Sequence, residues 1–177
     1  MILTVDIGNT ATTMGLYTPE GTLRFRGALK TDKNKTQDQL AIDLLDMFHL
    51  YQADIGEVTG GVISSVVPPM THAMAGAIRQ LSGVRPMIVG PGVKTGMNIL
   101  AEVHNQLGAD IVASSVAALQ KYPQPIIVID MGTATTLSYL GNNTYEGCVI
   151  IPGVRIAVEA LSGRAAELPH ISIEEPP

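Results

Sequence analysis

The chain has 177 residues and a net charge of −5 without a dense run of Lys and Arg, which argues against a nucleic-acid-binding surface. No apolar run reaches the roughly 18 residues that suggest a membrane span, and the first residues lack the pattern of a signal peptide. Hydrophobic residues make up 46% of the chain, and the mean hydropathy is +0.26, so a sizeable core can form. The single cysteine, Cys148, cannot form an internal disulfide, which favours a reducing, cytoplasmic location.

The first part of the chain mixes strand and helix patterns. Short apolar or alternating runs bounded by turn residues predict strands at residues 2–6, 12–17, 22–29, 58–67 and 86–89. Helical spacing of apolar residues predicts helices at 36–50, 71–81 and 106–122, with Thr36 as the N-cap of the first. A glycine-rich loop is expected at 90–98.

The same order of patterns restarts after Pro123. Strands are predicted at 125–130, 135–140 and 144–150, and a helix at 154–166. Because strand, hairpin, strand and helix follow one another in both halves, we expect a duplicated α/β fold with mixed sheets. The expected domains are residues 1–123 and 124–177, the second being shorter and incomplete.

Each half of the chain begins with a similar motif. Residues 5–10 read V-D-I-G-N-T and residues 129–133 read I-D-M-G-T, each after an apolar run that is expected to be a buried strand. The glycines allow a tight turn, and backbone N–H groups and the hydroxyls of Thr10 and Thr133 can donate to phosphate oxygens. One copy alone is also typical of an ordinary strand-to-turn junction, but two copies predict homologous halves that bind one nucleotide.

The aspartates of these motifs require a cation. Asp6 and Asp130 carry the same charge sign as phosphate, so neither can bind phosphate directly. A magnesium ion can lie between a carboxylate and a phosphate, because it binds carboxylate oxygens and retained water. Asp6 is therefore assigned to magnesium.

Six motifs in order then point to a family. They are D-I-G-N-T at 6–10, S-S-V-V-P-P at 64–69, G-P-G-V-K-T-G at 90–96, G-A-D at 108–110, D-M-G-T-A-T-T at 130–136 and I-P-G to E-L-P at 151–169. With them, essentially the whole chain resembles type III pantothenate kinase. The resemblance implies duplicated ribonuclease H-like (actin-like ATPase) domains. It also implies ATP-dependent phosphorylation of the primary hydroxyl of pantothenate to 4′-phosphopantothenate, the first step of coenzyme A synthesis.

The resemblance also assigns partners and site residues. It implies a homodimer that uses ATP, magnesium and a monovalent cation, potassium or ammonium. Asp110 matches the general base, and Asp130 matches the ligand of the monovalent cation. The residues that match ATP contacts are Asp6, Ile7, Gly8, Asn9, Thr10, Ala11, Thr12, Thr13, Gly132 and Thr133. Those that match the pantothenate site are Ala101, Gly108, Ala109, Asp110 and Ile111.

The chain departs from the family pattern at the substrate end. Where the family motif reads G-A-D-R, this chain has Ile111 in place of the arginine. Leu100 and Ala101 stand where the family has another arginine and an aromatic residue. Arginine binds a carboxylate through two parallel hydrogen bonds, and loss of such a partner costs about 2–5 kcal/mol. The alternatives are a non-catalytic regulatory or nucleotide-binding paralogue and a kinase of another small alcohol. Asp110 by itself is also typical of any first helical turn.

Overall fold

The computed structural model describes residues 1–90, 93–100 and 107–164. The strands within these residues are β1 Ile2–Ile7, β2 Ala11–Tyr17, β3 Leu23–Lys30, β4 Gly60–Ser65, β5 Met87–Ile88, β6 Asn98–Ile99, β7 Ile126–Met131, β8 Ala134–Gly141 and β9 Thr144–Pro152. The helices are α1 Gln37–Leu50, α2 Pro68–Ser82, α3 Ala109–Lys121 and α4 Val154–Arg164, and Ile55–Glu57 form a 3₁₀ turn. These elements form two compact units, of which the first includes residues 107–113 and the second includes residues 95–100.

The first unit is built on a five-stranded mixed sheet. Its strand order is β3-β2-β1-β4-β5, with β1, β2 and β3 antiparallel to one another and β4 parallel to both β1 and β5. Alternate residues of β1 are fully buried: Leu3, Val5 and Ile7 are at most 2% exposed. This face packs in the core with residues of α1 and α2, and Asp6 lies on the opposite face of the sheet.

The helices of this unit begin and end where local chemistry dictates. Thr36 caps α1 with a capping box in which Gln39 returns the hydrogen bond, as the sequence predicted for the cap. The second helix begins at Pro68, three residues before the predicted start, because proline is well accommodated in a first helical turn. It ends at Gly83, whose φ of 75° suits a residue without a side chain.

The packing of α1 predicts how much two leucine substitutions should change the free energy of unfolding. Leu44 is 0% exposed in the core of the first unit, whereas Leu50, at the end of the same helix, is 70% exposed. Leu44→Ala should lower the free energy of unfolding by about 2–5 kcal/mol through lost burial and a residual cavity. The matched control Leu50→Ala should change it by less than about 0.5 kcal/mol. Denaturant unfolding followed by circular dichroism measures both, and equal losses would contradict the core assignment.

The second unit contains a four-stranded mixed sheet of order β6-β9-β8-β7. Strands β7, β8 and β9 are antiparallel, and the short β6 pairs in parallel with β9. Tyr145 is its most deeply buried large side chain, with the hydroxyl 3.3 Å from Ser138 Oγ, and burial raises the pKa of this phenol to about 12. The predicted α/β class with mixed sheets is confirmed in both units.

The strand before the second motif differs from expectation. The sequence predicts a buried strand there, as it does before the first motif. Within the described residues, however, β7 lies at a sheet edge, and Ile127 and Ile129 are 64% and 60% exposed. Apolar content alone could not distinguish a central strand from an edge strand.

Other differences are at element ends. The predicted strand at 58–67 is confined to Gly60–Ser65, and the predicted loop at 90–98 ends in the unpredicted strand β6. The third predicted helix begins at Ala109 rather than at 106, a position outside the described residues. No helix in the described ranges combines the length and apolar character needed to span a bilayer.

Candidate functional site

The first motif forms the turn between β1 and β2, and residues 8–10 of this turn are called loop 1 here. Gly8 closes the turn, because its N–H donates to the Ala11 carbonyl at 3.0 Å. A Cβ at Gly8 would lie 3.1 Å from that carbonyl oxygen, so a side chain would crowd the turn. Asp6, the last residue but one of β1, is exposed, whereas Ile7 is fully buried. The end of β1 therefore presents the Asp6 carboxylate to solvent, next to the backbone of loop 1.

A buried threonine outside the predicted motif holds loop 1 in place. Thr31 Oγ1 donates to the Gly8 carbonyl at 2.8 Å, and the Thr31 N–H donates to the Thr10 carbonyl at 3.0 Å. Thr31 Oγ1 also lies 3.0 Å from Thr12 Oγ1. Because a hydroxyl carries one hydrogen, Thr12 must be the donor in this second contact. Thr31 thus fixes the two ends of loop 1 and leaves the buried Thr12 hydroxyl committed to the protein.

Removal of the Thr31 hydroxyl should loosen loop 1. Thr31→Val keeps the shape of the side chain but leaves the Thr12 hydroxyl and the Gly8 carbonyl without their partner. We expect the free energy of unfolding to fall by about 1–3 kcal/mol and nucleotide affinity to fall with it. Thr31→Ser, which keeps the hydroxyl, should restore most of both. Denaturant unfolding and isothermal titration with an ATP analogue measure the effects, and a valine variant with native affinity would exclude this role for Thr31.

The predicted base, Asp110, lies in the first turn of α3 and belongs to the first unit. Its Oδ1 accepts a hydrogen bond from the Ile111 N–H at 2.8 Å. A Cβ at Gly108 would overlap Asp110 Oδ1, so glycine is needed for the carboxylate to take this position. The same Cβ would lie 3.7 Å from Val66, which follows β4. The G-A-D motif therefore places a half-buried carboxylate beside the end of β4.

The second motif forms the turn between β7 and β8, and residues 132–133 of this turn are called loop 2 here. The Gly132 N–H donates to the Ala134 carbonyl at 3.0 Å, as Gly8 does in loop 1. The Thr133 carbonyl accepts from the Gly153 N–H at 3.1 Å. A Cβ at Gly153 would overlap the carbonyl oxygens of Gly132 and Thr133. Since α4 begins directly after Gly153, the N-terminus of that helix lies against loop 2. The N-terminus of a helix carries a partial positive charge and stabilises anions.

The two loops are built on the same plan with one insertion. Asp6 pairs in register with Thr13 across six intervening residues, and Asp130 pairs with Thr136 across five. Without Asn9, the first motif reads D-I-G-T-A-T-T against D-M-G-T-A-T-T in the second. The shared register pairs and sequence support the duplication that the motifs predict.

The structure thus places the predicted residues in two groups. Asp6, loop 1, Gly108, Ala109, Asp110 and Ile111 belong to the first unit, and Asp130, Gly132 and Thr133 belong to the second. Ala101 lies outside the described residues. Of the first motif, Ile7 and Thr12 have buried side chains, so only their backbone groups can face a ligand. Sequence reasoning did not single out Thr31 or Gly153, although the I-P-G run at 151–153 was a signal for the latter.

Known structures place the fold in a class. A Baf family transcriptional activator from Campylobacter jejuni aligns with a TM-score of 0.56 at 17% identity, over 99% of this chain and 67% of that one. A protein from Sinorhizobium meliloti described as a 2-dehydro-3-deoxygalactonokinase aligns with a TM-score of 0.55 at 12% identity, over 94% and 58%. The chain has the fold of the actin-like ATPases and sugar kinases.

Sequence comparison defines the family within that class. The type III pantothenate kinase family model matches residues 2–177. A type III pantothenate kinase from Listeria innocua is 42% identical over 99% of this chain and 68% of its own length. The chain belongs to the type III pantothenate kinase family, as the ordered motifs predicted. Membership of a kinase family implies ATP as the phosphoryl donor and a divalent metal.

Proposed function

We propose that this chain transfers the terminal phosphoryl group of ATP to the primary hydroxyl of pantothenate. The product would be 4′-phosphopantothenate, as in the first step of coenzyme A biosynthesis. The observation that carries the proposal is the retention of both phosphate-loop turns and of Asp110 in a chain that belongs to this kinase family. Phosphoryl transfer depends mainly on positioning and charge stabilisation, which turns of this kind supply.

In this mechanism the two loops hold phosphate oxygens. Loop 1 would offer its backbone N–H groups and the Thr10 hydroxyl, and loop 2 would offer the Thr133 hydroxyl beside the N-terminus of α4. Asp110 would accept the proton of the attacking hydroxyl. The hydroxyl oxygen forms the new bond to phosphorus, the bond from phosphorus to the bridging oxygen breaks, and ADP leaves.

The donor atoms fit the cations of the proposal. Among the described residues there is no cluster of three or more His, Cys, Asp or Glu that could form an all-protein metal site. Magnesium does not need one, because it binds through one or two carboxylates, substrate phosphates and water. Asp6 would hold magnesium, which neutralises phosphate charge when bound, and Asp130 would hold potassium or ammonium through hard oxygen donors.

A second candidate function, phosphorylation of another small alcohol, follows from the residues at the expected substrate site. The half-buried Ile111 replaces the arginine that the family motif would supply, and Leu100 is 48% exposed. Such apolar groups suit an alcohol substrate without a carboxylate better than they suit pantothenate. A regulatory paralogue that binds nucleotide without catalysis is the remaining alternative.

Isothermal titration separates these candidates. The full chain is titrated with pantothenate in magnesium and potassium, with and without a non-hydrolysable ATP analogue. Saturable pantothenate binding that strengthens with the analogue is the expected result. Nucleotide binding without pantothenate binding would favour another alcohol or a regulatory role, and a panel of small alcohols tested for ADP release distinguishes those two.

Three further properties belong to the same proposal. We propose a homodimer, which sedimentation equilibrium tests directly, and a cytoplasmic location, which the single cysteine supports. Residues 1–123 and 124–177 would be the two actin-like domains, each opened by one phosphate loop. The repeated hairpin pairing of β1 with β2 and of β7 with β8 supports the duplication.

A further inference from the structure

Ser64 carries a buried hydroxyl that the proposed chemistry has not used. The residue lies on β4 and is 7% exposed, and its Oγ is sealed from solvent. Among the residues that the structure describes, this oxygen has no hydrogen-bond partner. A sealed hydroxyl without a partner costs folding free energy. A polar side chain on a neighbouring strand can satisfy this oxygen if the serine side chain rotates.

The register of the sheet identifies that group. Ser64 pairs with Asp6 in the parallel β1–β4 ladder, and Asp6 pairs with Thr13 on its other side. Residues paired in this way project from the same face, on strands about 4.8 Å apart. The Asp6 carboxylate is therefore flanked by a hydroxyl on both sides. A carboxylate accepts several hydrogen bonds at once, so its other interactions do not compete with Ser64.

Neither the neighbouring serine, Ser65, nor the aspartate before loop 2, Asp130, has the same arrangement. Ser65 Oγ is already engaged, because it accepts from the Val67 N–H at 3.1 Å and from Thr71 Oγ1 at 2.8 Å. Asp130, the counterpart of Asp6, pairs with Thr136 on one side only, because β7 is an edge strand in the described sheet. Within the part of the chain that the structure describes, a hydroxyl on both sides is thus found at Asp6 and not at Asp130.

We propose that Ser64 is a positioning residue for magnesium, on the basis of the proposed function. A rotation of its side chain lets the hydroxyl donate to one Asp6 oxygen while the other oxygen faces the metal. Carboxylates that bind metals are commonly held by such hydrogen bonds, and loss of the holding group typically weakens metal binding about 10- to 100-fold. The hydroxyl that has no partner without ligand would gain one when magnesium–nucleotide binds.

The test is the magnesium dependence of nucleotide binding by the full chain. Affinity for a non-hydrolysable ATP analogue is measured by isothermal titration in magnesium and in EDTA, beside the melting temperature of the ligand-free protein. Ser64→Ala should weaken binding about 10-fold in magnesium and leave binding in EDTA unchanged. The melting temperature should stay equal or rise, since a hydroxyl without a partner is removed. Ser64→Thr, which keeps the hydroxyl, should restore magnesium-dependent affinity.

Ser115→Ala is the matched control, because Ser115 Oγ in α3 is the other buried hydroxyl without a partner in the described residues. It should leave the magnesium dependence unchanged. Equal magnesium dependence in Ser64→Ala and the unmodified chain would overturn the proposal. Pantothenate is absent from this experiment, so failure of the pantothenate assignment alone leaves the Ser64 result intact. If the nucleotide affinity of the unmodified chain is the same with and without magnesium, both the Ser64 proposal and the proposed function are overturned.

Discussion

Replacing Asp110 with asparagine is expected to lower kcat by about 10²- to 10⁴-fold, the typical contribution of a general base. The amide keeps the shape of the side chain but cannot accept the proton of the attacking hydroxyl. Nucleotide affinity and melting temperature should change little, because the side chain is half-buried in a first helical turn and not part of the core. Steady-state release of ADP in the presence of pantothenate measures the effect.

The matched control is Asp46→Asn on α1, an exposed aspartate remote in sequence from every proposed site residue. It makes the same chemical change and should leave kcat within about twofold of the unmodified value, as for ordinary surface substitutions. If Asp110→Asn also retains kcat within that range, Asp110 is not the base. A loss confined to KM would instead indicate that the carboxylate binds substrate.

The second large effect is expected at Gly153, where alanine should disrupt loop 2. Its Cβ would overlap two backbone carbonyl oxygens, at Gly132 and Thr133, and backbone cannot move aside as a flexible side chain can. We expect the free energy of unfolding to fall by about 1–3 kcal/mol, the usual range for overpacking. Nucleotide affinity should fall as well, because the start of α4 is pushed away from the loop.

Gly163→Ala provides the control on the same helix. A Cβ at Gly163 meets no atom within 4 Å, so alanine should stabilise the helix by up to about 1 kcal/mol and leave nucleotide affinity unchanged. Thermal unfolding and isothermal titration with the ATP analogue measure both variants. Native stability and native affinity in Gly153→Ala would refute the close approach of Gly153 to loop 2.

Much of the local structure at the candidate site was predictable, because it depends on residues that are close in sequence. The residues of each loop are contiguous, and their repetition after Pro123 made the pattern informative. The cap at Thr36 and the G-A-D motif were likewise readable from short spacings, since both act within one helical turn. The α/β class with mixed sheets followed from the order of strand and helix patterns.

The parts that sequence reasoning missed depend on pairing between distant segments. Thr31 reaches Gly8 across 23 positions, and nothing in the residues around Thr31 indicates that contact. Ser64 gains its significance only from the register that sets it beside Asp6. The two-residue strand β6 exists only through its pairing with β9, so no local propensity could have shown it.

The most direct test of the proposed function is to identify the product by mass spectrometry. The full chain is incubated with ATP, magnesium, potassium and pantothenate, and ADP is quantified in parallel. We predict that 4′-phosphopantothenate and ADP form in equal amounts and that both depend on pantothenate. Folded protein that binds nucleotide yet forms no phosphorylated pantothenate, or that releases ADP equally without it, would contradict the assignment.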